Sequence, residues 1–309
     1  MRRRPCCATR RPSNEKARLK ILLTGRTGQV GWELQRCLSA LGEVVAPDRT
    51  ELDLGDPATV GAHVRAVRPG LIVNAAAYTA VDQAEHEPQA CFAVNAESVA
   101  VLAHEAARLN ALLVHYSTDY VFDGSRRTPY VETDQPAPVG VYGRSKLAGE
   151  QEIVRSGCRH LILRTSWVYA MRGRNFLLTM LRLARERPEL RVVNDQLGTP
   201  TWSRDIAAAT LAALSSARSV EGLFHVTAAG WTTWFDFAVR ILKSAGLDTP
   251  VVPIPTSEYP TAAARPAYSV LDSGRFEVAT GFRIGPWDQR LAVALSPARP
   301  AASGEAPGA

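Results

Sequence analysis

Cysteine is scarce in these 309 residues: Cys6, Cys7, Cys37, Cys91 and Cys158 form an odd set of five without metal-type spacing. That argues against a disulfide-stapled scaffold and fits buried thiols in a reducing cytoplasm. Long apolar runs are missing as well, so no membrane span is expected. The start, MRRRPCCATRRPSNEKARLK, has no apolar segment behind its arginines and does not read as a secretory signal. Residues 1–18 are expected to form a basic disordered tail, and residues 296–309, dominated by Pro, Ala, Gly and Ser, a second one. An excess of one charge sign is also lacking over most of the chain. The formal net charge of +6 comes from residues 1–20, which hold eight Lys or Arg and one Glu, and the remainder carries 28 basic against 29 acidic residues. A body so close to neutral has no electrostatic footprint for nucleic acid.

What is present is an apolar share of 46%, enough to bury a full core in one large or two modest domains. Short runs of β-formers alternate with helical patterns: 20–23, 44–46, 71–73, 112–118 and 161–166 read as strands, with helices between them. This alternation predicts an α/β fold, a Rossmann-like doubly wound parallel sheet whose ligands lie outside the carboxyl ends of its strands. Residues 19–170 read as the dinucleotide-binding domain. From 171 to 295 the alternation loosens into a smaller α/β part, expected to bind mainly substrate.

Three features fall on the same predicted sheet edge. The first is TGRTGQVG, running from strand to helix, with Gly25, Gly28 and Gly31 where the backbone must turn tightly, touch a pyrophosphate and let helix pack on strand. The acids Asp48 and Asp53 beyond the second strand suit the ribose hydroxyls of NAD, whereas Arg49 suits the extra phosphate of NADP, so the choice stays open. The second feature is Asn74-Ala75-Ala76-Ala77, small enough for a flat ligand to pass close by. Asn95, on the following helix, is a candidate to bond backbone across the sheet. The third is the pair Ser117-Thr118-Asp119-Tyr120 and Tyr142-Gly143-Arg144-Ser145-Lys146.

Tyr and Lys four apart share one helix face, and a cation beside a phenol favours the phenolate. Tyr142 would then trade a proton near neutral pH, with Thr118 offering a hydroxyl to the same reacting oxygen. Such a spacing alone carries little weight; its company on one edge points to hydride chemistry on a carbonyl. The Pro-rich insertion 125–140 reads as a loop able to close over the site, and Trp167 offers a flat apolar face.

Together, TGRTGQVGWEL, NAAAYTAVDQAE, STDYVFDG, PVGVYGRSKLAGE, RTSWVY and NDQLGTPT resemble the extended short-chain dehydrogenase/reductase superfamily, and within it the dTDP-4-dehydrorhamnose reductase family, over roughly residues 20–295. The resemblance implies a cytoplasmic enzyme that reduces the 4-keto group of a dTDP-linked 4-dehydro-6-deoxy-L-mannose with NADPH or NADH, for cell-surface polysaccharide. It implies Gly28, Gln29 and Val30 at the pyrophosphate, Asp53 and Leu54 near the adenosine, and Ala75, Ala76 and Ala77 along the cofactor. Thr118, Asp119, Tyr120 and Trp167 would meet the sugar, Tyr142 would donate the proton, and Lys146 would hold the nicotinamide ribose. Members of this kind that bind Mg2+ between subunits use acids outside these motifs, so Mg2+ has no assigned residues here. A homodimer is the assembly considered. Two alternatives stay open: a reductase of another nucleotide-linked 4-keto-6-deoxy sugar, for instance a GDP-linked one, and a non-catalytic NADP-binding regulatory subunit resembling the methionine adenosyltransferase β subunit. Asp119-Tyr120 stands where sugar-nucleotide dehydratases carry an Asp-Glu pair, so elimination of water lacks its second carboxylate.

Overall fold

In the computed structural model, residues 18–296 are described, so the two predicted tails lie outside the described residues except at Arg18 and Ser296. Five strands form in the predicted order: β1 (Lys20–Thr24), β2 (Glu43–Val45), β3 (Leu71–Asn74), β4 (Leu112–Thr118) and β5 (His160–Thr165). The strand Gly222–His225 joins them, giving the six-stranded order Gly222–His225, β5, β4, β3, β1, β2. Every pairing in this sheet is parallel. The chain leaves β1 for β2 on one side and returns to β3 on the other, so the strand order reverses at β1. Such a reversal opens a crevice at the carboxyl ends, where ligands of this fold bind.

The strands are largely apolar because helices cover both faces, and their polar residues gather toward the carboxyl ends. Ile21, Leu23, Val73, Val114 and Tyr116 pack on one side with Leu34, Leu38 and Ile206. Leu22, Ile72, Leu113 and Ile162 pack on the other with Val60, Val64, Val99 and Leu102. Alternation along each strand therefore decides which helix layer a side chain meets.

A further core holds the C-terminal part together: Leu177, Met180, Leu181, Trp202, Phe237, Ile241 and Leu291 pack around the parallel pair Leu190–Val193 and Val251–Ile254. Its helices start on side-chain caps. Asn175 accepts from Leu178 N at 3.0 Å ahead of Phe176–Glu186, and Thr233 accepts from Asp236 N at 2.9 Å ahead of Trp234–Ser244. The segment 171–295 is not wholly separate, because Gly222–His225 lies in the main sheet and Ile206, Ala207 and Ala209 of helix Ser203–Leu214 belong to the first core.

Candidate active site

The turn after β1 is shaped by glycine at two points. Gly25 has φ +74°, and a Cβ on it would stand 2.6 Å from the Ala76 nitrogen. It thus supplies left-handed backbone and lets the turn lie directly on the Asn74–Ala77 segment. A Cβ at Gly31 would stand 2.1 Å from the Gly25 carbonyl oxygen, so the helix Gln29–Leu38 reaches the turn only with hydrogen at that position. Gly28 caps this helix with no side chain, and no acid occupies its first turn. The leading amides therefore face outward without a protein carboxylate, which fits a dinucleotide pyrophosphate at Gly28, Gln29 and Val30. Gln29 also ties the turn to the C-terminal part: its Oε1 accepts from Asn175 Nδ2 at 2.8 Å.

At the end of β2, Asp48 accepts from Thr50 and from Arg26 Nη2, the latter at 2.8 Å, and these bonds hold its carboxyl down to about 2. Arg26 comes from inside the glycine turn. Arg49 turns away to Asp53 at 3.3 Å and is mostly exposed. The cation best placed between the glycine turn and the β2 edge is thus Arg26, which the sequence reading passed over in favour of Arg49. Leu54 buries its side chain in the second core while its carbonyl accepts from Ser98 Oγ at 2.7 Å.

The helical run from Pro88 to Leu109 contains a π-turn, Ala93–Glu97. Asn95 on this turn clamps Tyr78 from both sides, accepting from its N at 2.9 Å and donating to its O at 3.0 Å, and donates to Ser145 Oγ at 3.0 Å. The backbone bond anticipated for Asn95 is therefore present. Helix Val141–Ser156 approaches closely through two glycines: a Cβ on Gly149 would stand 2.2 Å from Asn95 O, and one on Gly143 would stand 2.2 Å from Tyr120 O. These contacts bring Tyr142 and Lys146 to the end of β4.

Thr118 ends β4 and organises the next turn, its Oγ1 accepting from Tyr120 N and donating to Asp119 Oδ1, both at 3.1 Å. The Tyr142 phenol lies close enough to this hydroxyl to feel it. Its ring lies edge-on to that of Tyr120, with centroids 5.7 Å apart. Burial pushes the Tyr142 phenol well above its ordinary value; the Thr118 hydroxyl offsets part of this, and Asp119, Tyr120 and Cys91 add to it. The expectation that Lys146 would favour the phenolate is corrected here: desolvation governs this phenol, and Lys146 is not among the groups that offset it. Lys146 Nζ stands 3.0 Å from His115 Nε2, and burial lowers the amine to about 8. Asp119 is 1% exposed and its Oδ2 has no partner among the described residues. Burial raises its carboxyl to about 7, with Ser269 and Thr118 opposing the rise.

Two further features reach this edge. Trp167 holds φ +45°, a conformation that costs a non-glycine residue about 1–3 kcal/mol unless its surroundings fix it. Trp234 stacks on its ring at a centroid distance of 3.5 Å, and a Cβ at Gly198 would stand 2.3 Å from it. Packing therefore holds the strained residue in place, just past β5. Arg265 donates to Asp82 at 2.7 Å beside Tyr120, so a half-buried guanidinium stands at the rim. No group of three or more His, Cys, Asp or Glu able to hold a metal occurs among the described residues. No helix among them is long and apolar enough to cross a membrane.

The same combination of parts occurs in known proteins. The family model described as RmlD substrate binding domain matches residues 19–299. A dTDP-4-dehydrorhamnose reductase of Burkholderia thailandensis is 49% identical over 292 residues, covering 90% of this chain and 97% of that protein. The crystal structure of dTDP-4-dehydrorhamnose reductase from Bacillus anthracis in complex with NADP superposes with a TM-score of 0.86 at 36% identity, over 90% of this chain and 98% of that one. A UDP-glucose 4-epimerase of Thermus thermophilus, at 21% identity and a TM-score of 0.78, shares the fold. With the glycine turn, the β4 end and the Tyr142 helix arranged as described, and with matches of this extent, the chain belongs to the RmlD substrate binding domain family, that of the dTDP-4-dehydrorhamnose reductases.

Proposed function

We propose that this protein reduces the 4-keto group of dTDP-4-dehydro-6-deoxy-L-mannose to give dTDP-L-rhamnose, using NADPH or NADH. The observation that carries the reading is the desolvated Tyr142 phenol, edge-on to Tyr120 just past Thr118 at the carboxyl end of β4, on the same edge as an uncapped, acid-free helix start. When bound, the nicotinamide supplies the hydride. The glycine turn and Arg26 bind the phosphates, and Ala75, Ala76 and Ala77 leave room for the rest of the cofactor. Lys146 holds the nicotinamide ribose. A phenol kept protonated by burial is the form a reductase needs, since Tyr142 must hand a proton to the alkoxide forming at the sugar C4. Thr118 donates to the same oxygen, so charge there is met by two donors.

Asp119, Tyr120 and Trp167 form the wall for the sugar, and the segment 171–295 supplies most of the nucleotide contacts, apart from the strand and helix it returns to the sheet. The enzyme works in the cytoplasm, in keeping with the unpaired thiols of Cys37, Cys91 and Cys158. The test is NADPH oxidation with the dTDP-linked keto sugar, compared with a GDP-linked one. Stoichiometric consumption with the dTDP sugar is expected. Turnover without net consumption would mark an epimerase, and binding of NADPH without turnover a regulatory subunit.

A further inference from the structure

Thr24, Asn74 and His115 stand opposite one another on β1, β3 and β4. All three point to the layer of helix Val141–Ser156, because the residues preceding them, Leu23, Val73 and Val114, belong to the core on the other face. A polar row inside a sheet covered on both sides must find its partners internally. Thr24 Oγ1 lies 2.6 Å from Asn74 Oδ1, Asn74 Nδ2 lies 3.0 Å from His115 Nδ1, and His115 Nε2 lies 3.0 Å from Lys146 Nζ. None of the four is more than 3% exposed. The row ends on the amine assigned to the cofactor ribose.

We propose that His115 is a positioning residue for Lys146, seated from behind by Asn74 and Thr24, and that this row fixes both the place and the charge of the amine. The inference rests on the reductase reading and specifies how the lysine of that site is held.

The row has a direction, because an amide presents a donor on one side and an acceptor on the other. With Asn74 Nδ2 toward the ring, Nδ1 accepts, the imidazole proton sits on Nε2, and Nε2–H requires the lone pair of a neutral amine. With the amide turned over, Oδ1 accepts from Nδ1–H, the Thr24 oxygen accepts from Nδ2, and Nε2 accepts from the Lys146 ammonium. A proton gained at Nζ is thereby linked to a turn of a buried amide. His115 does not take up the charge, since burial and Lys146 both hold it well below the usual histidine range.

The other ionisable groups around the amine are few. Cys91 faces it from Pro88–Phe92, Tyr142 and Glu150 belong to its own helix, and β3 contributes the neutral Asn74 amide. Glu150 is itself bound by Arg164 at 2.9 and 2.6 Å. Glu150 and Cys91 favour the ammonium through their charges, and the Nε2 lone pair favours it by direct contact; the ammonium is the form that binds the ribose.

Glutamine and asparagine separate the two ring nitrogens. In His115→Gln the terminal amide reaches the Nε2 position and keeps a partner for Lys146; in His115→Asn it stops at the Nδ1 position and keeps only Asn74. NADPH affinity is followed by its fluorescence over about pH 6–9, a readout that needs no sugar. His115→Gln should stay within about 3-fold of the parent with the same alkaline limb. His115→Asn should bind about 10-fold more weakly, the size of one lost charge-assisted contact, with the limb moved down by about one pH unit. Asn74→Asp, which can only accept, should hold Nε2 as an acceptor and move the limb up; if it does not fold, the neutral Gln and Asn pair carries the test. Identical pH profiles for the two His115 variants, or a downward limb in Asn74→Asp, overturn the inference. A parent protein that binds neither NADPH nor NADH overturns the reductase reading beneath it, which is a separate outcome.

Discussion

Two buried carboxyls lie near the helix Val141–Ser156, and their surroundings differ. Glu150 has both oxygens engaged: Oε1 accepts from Ser117 Oγ and Arg164 Nε, and Oε2 accepts from Arg164 Nη2. The Arg164 guanidinium also lies over the Phe122 ring at 5.1 Å. Asp119 has one oxygen bonded to Thr118 and the other without a partner among the described residues. Both are almost fully buried. A buried carboxyl engaged on both oxygens by a guanidinium holds structure, whereas burial with one oxygen left without a partner lifts the Asp119 carboxyl to about 7. The contrast sets the engaged pair Glu150 and Arg164 against Asp119, which lies beside Thr118 and Tyr142, the residues proposed to react.

The largest effect should come from the satisfied side. Arg164→Met strands the Glu150 charge, and breaking a buried pair in this way costs about 3–5 kcal/mol. Urea titration measures it, and a loss under about 1 kcal/mol would mean that the pair is not the scaffold. On the reacting side, Tyr142→Phe should lower turnover by about 10²-fold or more while leaving NADPH affinity within about 3-fold. Single-turnover assays beside fluorescence titration separate the two quantities; near-normal turnover would remove Tyr142 from its role. Arg26→Ala should raise KM for NADPH about 10-fold, as for one charge-assisted contact, and leave KM for NADH nearly unchanged. Equal effects on both cofactors would detach Arg26 from the extra phosphate.

A pH-dependent effect tests Asp119 directly. Its carboxyl rises from 3.8 when unfolded to about 7 in the folded protein, so the folded state binds more protons between those values. The stability it contributes is complete below about pH 4 and is lost as the pH climbs through about 7. Asp119→Asn removes this dependence. Its melting temperature relative to the parent should therefore climb across that window and then level off. A difference that stays flat, or falls, would show that Asp119 is charged throughout and erase the contrast with Glu150.

Much of the scaffold was legible because it obeys local rules. The apolar runs at Ile21–Leu23 and Leu71–Val73 and the glycines between β1 and its helix each act within a few positions of themselves. The site was less so. His115 read as one more residue of a strand, although a polar residue among buried neighbours, matched by Thr24 and Asn74 at the ends of their own strands, was the signal available. Arg26 was hidden because its partner Asp48 lies beyond a whole helix, and Trp234 because its stacking partner is Trp167. The raised phenol of Tyr142 was misread for a similar reason: helix spacing reports which side chains are neighbours, not how much water surrounds them.

By itself the sequence determined the parallel sheet, the phosphate-binding turn and the residue types at the catalytic edge, because periodicity, glycine placement and strand-to-helix order are properties of short stretches. Only the tertiary structure decided where protons and charges reside. Those depend on desolvation and on contacts between β1, β3, β4 and the helix Val141–Ser156, which come together only when the sheet closes.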